Sequence, residues 1–137
     1  MSNSWSNEKK RPLILPPANK DLNANLEQAA SELPCLTASE LEGWSKETEY
    51  EYGARIFVGL KDYVFDVTSV PELHPTGGFG SYAFKDISYA LVKGSILEED
   101  TLVSGYSSHS QQEVKELREW LSAFLLRFPV VAKLIQA

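Results

Sequence analysis

The sequence predicts an α+β fold, and two observations carry that prediction. Two β-rich runs, residues 55–60 and 63–67, are separated only by Lys61-Asp62. A connection that short joins neighbouring strands antiparallel, as a hairpin. Toward the other end, Val114, Leu117, Leu121, Phe124 and Phe128 recur at spacings of three and four. That is the apolar stripe of a long amphipathic helix, expected over 109–128 and stopped by Pro129.

The remaining elements follow in chain order. Residues 21–31 suit a short helix with Leu22, Leu26, Ala29 and Ala30 on one face. Thr37 followed three residues later by Glu40 has the spacing of a helix-capping box. It predicts a helix from Ala38 to about Trp44, with the charged stretch 45–53 as a loop ending at Gly53. Residues 68–85 contain Pro71, Pro75, Gly77, Gly78 and Gly80, so only short helical turns are expected there. A helix is expected over 86–93, with Ile87, Ala90 and Leu91 inward and Gly94 as its stop. Residues 97–108 read as acidic and irregular, and 130–135 as a final apolar segment packed on the core. No internal repeat is present.

Length and composition narrow the function classes. The chain has 137 residues, 43% hydrophobic and 23% charged, enough for one domain with its own core and a tail. Residues 1–35 are rich in Ser, Asn, Pro and Ala, and their four acidic and four basic side chains cancel. They are expected to form a mobile extension, with 36–137 as the domain. The domain holds fifteen acidic and nine basic residues, so the whole net charge of −6 resides there. An acidic surface opposes binding to phosphate backbones and anionic membranes, so no nucleic-acid role is expected. A lone cysteine, Cys35, rules out an internal disulfide and a cysteine-based metal cluster. No run approaches the ~18 apolar residues of a transmembrane segment. A soluble cytoplasmic protein, at most peripheral to endomembranes, is the expectation.

A catalytic constellation is hard to assemble, and no enzyme activity is expected. The two histidines, His74 and His109, stand far apart and form no metal-binding pair by spacing. Gly77-Gly78-Phe79-Gly80 lacks the Lys-Ser/Thr ending of a phosphate loop. Its glycines let the backbone turn sharply, and the rings of Phe79, Tyr82, Phe84 and Tyr89 cluster around it. Such a loop serves either as a core plug or as the wall of a pocket for a flat apolar ligand.

Taken in order, several segments carry a resemblance to a known family. They are Leu36-Thr-Ala-Ser-Glu-Leu41, Ile56 through Thr68 with its Val-Phe-Asp-Val-Thr run, and Gly80-Ser-Tyr-Ala-Phe-Lys-Asp-Ile-Ser88. Trp120-Leu-Ser-Ala-Phe124 and Phe128-Pro-Val-Val-Ala-Lys-Leu134 complete the set. Together they resemble the cytochrome b5-like haem/steroid-binding domain, in its membrane-associated progesterone receptor branch. The resemblance covers about residues 36–135. It implies a cytochrome b5-like fold, a small mixed sheet with short helices enclosing an apolar pocket and one long C-terminal helix.

The resemblance also implies a non-enzymatic module for haem or a sterol-like ligand, assisting redox or lipid-metabolic partners such as cytochromes P450. Family members that hold haem do so through tyrosinate. The corresponding tyrosine positions fall here at Leu73, Phe79 and Phe128, which have no oxygen to offer iron. Phe79, Tyr82 and Phe128 keep the aromatic lining. His74-Pro75-Thr76-Gly77-Gly78 is similar to the His-Pro-Gly-Gly ligand motif of cytochrome b5 with one residue inserted. His74 is therefore the leading candidate haem-iron ligand and His109 a second. Paired, the two would make a bis-histidine electron carrier; a haem-free protein-interaction module is the further alternative.

Overall fold

The computed structural model describes residues 15–51, 55–74, 79–95, 98–101, 106 and 110–135. Its helices are α1 (Leu26–Ala29), α2 (Ala38–Glu51), α3 (Ser88–Lys93), α4 (Glu98–Thr101) and α5 (Gln111–Leu125). Its strands are β1 (Cys35–Leu36), β2 (Phe57–Leu60), β3 (Tyr63–Asp66) and β4 (Val130–Leu134), in the order β1-β4-β3-β2. The β4 strand runs antiparallel to β3 and parallel to β1. The fold is the mixed α+β arrangement that the hairpin and the long helix predict. Among the described residues no helix is long and apolar enough to cross a membrane.

The hairpin forms as expected, with Leu60 opposite Tyr63 and Val58 opposite Phe65. Lys61 takes a positive φ of 57° to make the turn. All four residues of β2 are buried, because the strand is covered on both sides. Its free edge is taken by the chain at 84–87. The Gly59 amide donates to the Lys85 carbonyl at 2.7 Å, and the Ile87 amide donates to the Gly59 carbonyl at 2.8 Å. Gly59 permits this approach, since a Cβ there would lie 2.7 Å from Leu134 Cδ2 and 3.3 Å from Leu41 Cδ2. Gly59→Ala is expected to cost about 1–3 kcal/mol through overpacking, read as a lower urea midpoint.

The capping box of α2 is present. The Thr37 amide donates to Glu40 Oε1 at 2.9 Å, and the Glu40 amide donates to Thr37 Oγ1 at 3.2 Å. The helix continues to Glu51 instead of ending near Trp44. The stretch expected as a loop contains no proline or glycine before Gly53, and its Glu and Lys residues favour helix despite their polarity. Segment 130–135 is likewise more than an apolar tail: it supplies β4, a central strand.

The long helix α5 is capped by Ser110, whose Oγ accepts from the Glu113 amide at 3.3 Å. Its inner stripe buries Leu117 and Phe124, with Phe128 just beyond the last turn. Val114, the first member of the predicted stripe, is 36% exposed, so the buried face begins a turn later. Helix α3 begins two residues later than expected because Asp86 serves as an acceptor before it. Gly94 stops that helix at φ 65°. Residues 15–33 contain α1 and a 3-10 turn at Ala30–Glu32, a shorter helix than expected. The division expected at residue 35 falls inside β1.

Candidate functional site

The segment 66–74 is built around Asp66 and Thr68. Thr68 donates to Asp66 Oδ1 from both its amide and its hydroxyl. The same hydroxyl oxygen accepts the Ile56 amide at 2.9 Å. Arg55 pairs with the other oxygen of Asp66 at 2.7 Å. This polar knot places the Thr68 carbonyl 2.8 Å from Nε2 of half-buried His74. A carbonyl only accepts, so Nε2 carries the proton. In the neutral ring the lone pair then sits on Nδ1, beside the Cβ branch.

The glycine-hinged loop resumes at Phe79. The Phe79 amide donates to the Glu72 carbonyl at 2.7 Å. Its half-buried ring meets Tyr82 edge-on at 5.5 Å between centroids. Tyr82 itself is 2% exposed, and its hydroxyl donates to the Ser95 carbonyl at 2.6 Å. Burial first, and the negative charge of Asp100 second, raise its phenol pKa well above the ordinary value. Tyr82 is therefore a neutral donor, not a tyrosinate. Beyond it, buried Asp86 accepts both the amide and the hydroxyl hydrogen of Ser88 on Oδ1, at 3.1 and 2.9 Å. The Ser88 oxygen accepts the Lys61 amide at 2.8 Å. The Asp-x-Ser motif thus ties the loop to the hairpin turn.

The ring contacts separate the expected site residues. Phe79 and Tyr82 form one pair. Phe128 is fully buried and tilts against Phe124 at 5.0 Å, and Phe124 contacts Phe65 at 5.5 Å and Trp120 at 6.3 Å. Phe128 thus has its ring contacts in the core under α5 and none with the loop pair. Leu73 is fully buried as well. Residues 75–78 and His109 lie outside the described residues, so the expected pairing of His74 with His109 does too.

These positions do not fit tyrosinate ligation of haem. The three family positions carry hydrocarbon side chains, and the nearby phenol is committed as a donor. Ligation by Nε2 of His74 would require the ring to leave the Thr68 carbonyl. Among the described residues no three His, Cys, Asp or Glu side chains gather where they could hold a metal ion.

Two features of this region escaped the sequence reading. Glu113 on α5 accepts from Lys93 on α3 at 2.7 Å and from the Tyr106 hydroxyl at 2.6 Å. The Tyr106 ring meets Tyr89 at 5.2 Å, and Lys93 lies 5.5 Å from the centre of the Tyr89 ring. The hydrogen bond that Lys93 donates to Glu113 is the main cause that raises the Lys93 pKa. This clasp joins α3 to the first turn of α5, and no local pattern announces it. Along α5, Glu116, Glu119 and Trp120 line a groove of about 300 Å³, and none of the expected site residues is among the described residues that line it.

No family model matches the sequence. The chain is 36% identical over 101 residues to Probable steroid-binding protein 3 of Arabidopsis thaliana, spanning 73% of this chain and 97% of that protein. It superimposes with a TM-score of 0.60 on the solution structure of an Arabidopsis protein put forward as steroid-binding, at 28% identity, covering 76% of this chain and 99% of the other. A second Arabidopsis thaliana structure, with a cytochrome b5 like fold, gives a TM-score of 0.61 at 29% identity over 76% of this chain and 93% of its own.

Proposed function

The chain belongs to the cytochrome b5-like steroid-binding family of the membrane-associated progesterone receptor type, and from that premise we propose that it is a non-enzymatic binding module for a flat apolar ligand of the sterol class. The observation that carries the reading is the pair at the loop. Phe79 presents a partly open ring backed by the rigid, neutral Tyr82, next to the glycine hinge. A flat hydrocarbon gains most from such a surface, where rings are held in place before binding. Haem is the weaker reading, because iron needs a donor and this chain has hydrocarbon at the family's tyrosine positions. The acid-rich domain would suit a basic protein partner of cytochrome P450 type, steered by charge.

The test is titration of the full chain with a fluorescent sterol and, separately, with haemin. Saturable sterol binding is expected. Phe79→Ala should weaken it about tenfold, the loss of ~1.4 kcal/mol of ring contact. Tyr82→Phe should leave affinity nearly unchanged, since its hydroxyl points to Ser95. Haemin should show no sharp absorption band that depends on His74. Absence of saturable sterol binding would overturn the proposal, and a haemin band lost in His74→Ala would restore His74 as an iron ligand.

A further inference from the structure

Helix α5 ends unusually well satisfied. The last carbonyls of a helix have no partner within it. Here the Leu125 and Phe128 carbonyls accept both hydrogens of the Asn23 side-chain amide, at 2.8 and 2.9 Å. The Asn23 side-chain oxygen accepts the Val130 amide at 3.2 Å. The Asn19 amide donates to the Leu126 carbonyl at 2.6 Å. Leu15, upstream in the same segment, packs against the core.

Two acceptors at one end of the Asn23 amide and one donor at the other use both of its N–H donors and one lone pair of its oxygen, and fix a single orientation. Aspartate has the same shape and cannot donate to either carbonyl. The partners are more than a hundred residues away, at the junction of α5 and β4. The segments that carry the family resemblance begin only at Leu36, and about a quarter of the chain lies outside the match to a relative that is itself 97% covered. The anchor thus lies upstream of the segments that carry the resemblance.

We infer that residues 15–33 form an intramolecular strap, and that Asn23 is a positioning residue for α5 and, through the seam of α5 with α3, for the loop that carries Phe79 and leads into α3. The inference rests on the binding reading for its ligand arm. At its first turn α5 is held to α3 by Glu113 and Lys93. At its last turn the strap holds it. A helix anchored at both ends keeps its place against α3, the continuation of the loop that carries Phe79, and releasing one end lets it tilt about the other.

The experiment compares Asn23→Asp and Asn23→Ala with the parent chain, using residue-resolved amide exchange and the dissociation rate of a fluorescent sterol. Exchange at Val130 and Phe128 should quicken on the order of tenfold, the effect of losing a net hydrogen bond or more. Amides of the β2–β3 hairpin should be unchanged, which separates local release from global destabilisation. The sterol should leave several-fold faster from both variants, with aspartate at least as severe as alanine. Unchanged exchange at Val130, or an aspartate variant that behaves as the parent, overturns the strap. Faster exchange with an unchanged sterol rate overturns the positioning role. If the parent chain binds no sterol, the binding reading falls separately. Exchange at Leu91 and Leu117, across the seam between α3 and α5, then decides positioning: faster supports it and unchanged overturns it.

Discussion

Phe124→Ala is expected to lower the unfolding free energy by about 3–5 kcal/mol, the range for removing a fully buried aromatic ring. The ring is completely buried and stands between Phe65 on β3, Trp120 on its own helix and Phe128 beyond it. Its neighbours are rigid rings on three different segments, which cannot collapse together into the void. The hydrophobic loss is therefore joined by a cavity cost. A urea titration reads the change as a lower midpoint, with an unchanged slope if unfolding remains two-state. Val114→Ala on the same helix is the control. Val114 is 36% exposed, so its loss should stay within about 0.5 kcal/mol. Equal effects at the two positions would show that α5 does not pack as described.

Asp86→Ala is expected to cost about 2–4 kcal/mol, because it breaks a buried polar network and strands its donors. The Asp86 carboxylate accepts both Ser88 donors, and Ser88 in turn accepts the Lys61 amide. Without it, the start of α3 and the hairpin turn each lose a partner. Asp86→Asn keeps an acceptor oxygen in the same place and should lose only about 1 kcal/mol. The ligand site should follow. Phe79, Tyr82 and Asp86 share one continuous loop, and its far end is pinned to β2 through Gly59. Sterol affinity should drop in Asp86→Ala and largely persist in Asp86→Asn. Urea midpoints and sterol titrations on both variants check this, and equal losses in the two would remove the network from the explanation.

The legible parts of the fold were those specified by neighbours in sequence. Lys61-Asp62 announced the hairpin, Thr37 and Glu40 the capping box, and the stripe from Leu117 to Phe128 the long helix. The misread parts have local signals that point elsewhere. Residues 45–51 look like loop because they are charged, yet helix formation depends on backbone compatibility more than on polarity. Residues 130–134 look like an apolar tail because four of the five side chains are apolar, yet in β4 Ala132 and Leu134 are buried while Val131 and Lys133 stay half-exposed, the period of two of a strand with one covered face. Val114 fits the helical stripe by spacing, but the core ends a turn short of it.

The candidate site was half legible. The loss of tyrosine at Leu73, Phe79 and Phe128 was plain from residue identity alone. The commitment of His74 Nε2 to the Thr68 carbonyl was not, because it depends on where the Asp66–Thr68 knot points a carbonyl. Nor could spacing reveal that Phe128 has its ring contacts under α5 while Phe79 pairs with Tyr82.

By itself the sequence determined the class of the fold, the family and the chemistry that the ligand positions lack. These rest on residue types and on short-range periodicity, which the covalent chain carries directly. Only the tertiary structure decided that Asn23 reaches the end of α5, that Glu113 clasps Lys93 and Tyr106, and that β4 runs beside β1. Each joins residues whose partners are set by packing: the separation is 102 residues for Asn23 and Leu125 and 20 for Lys93 and Glu113. No local propensity encodes such pairings, because their free energy exists only once the core has brought the segments together.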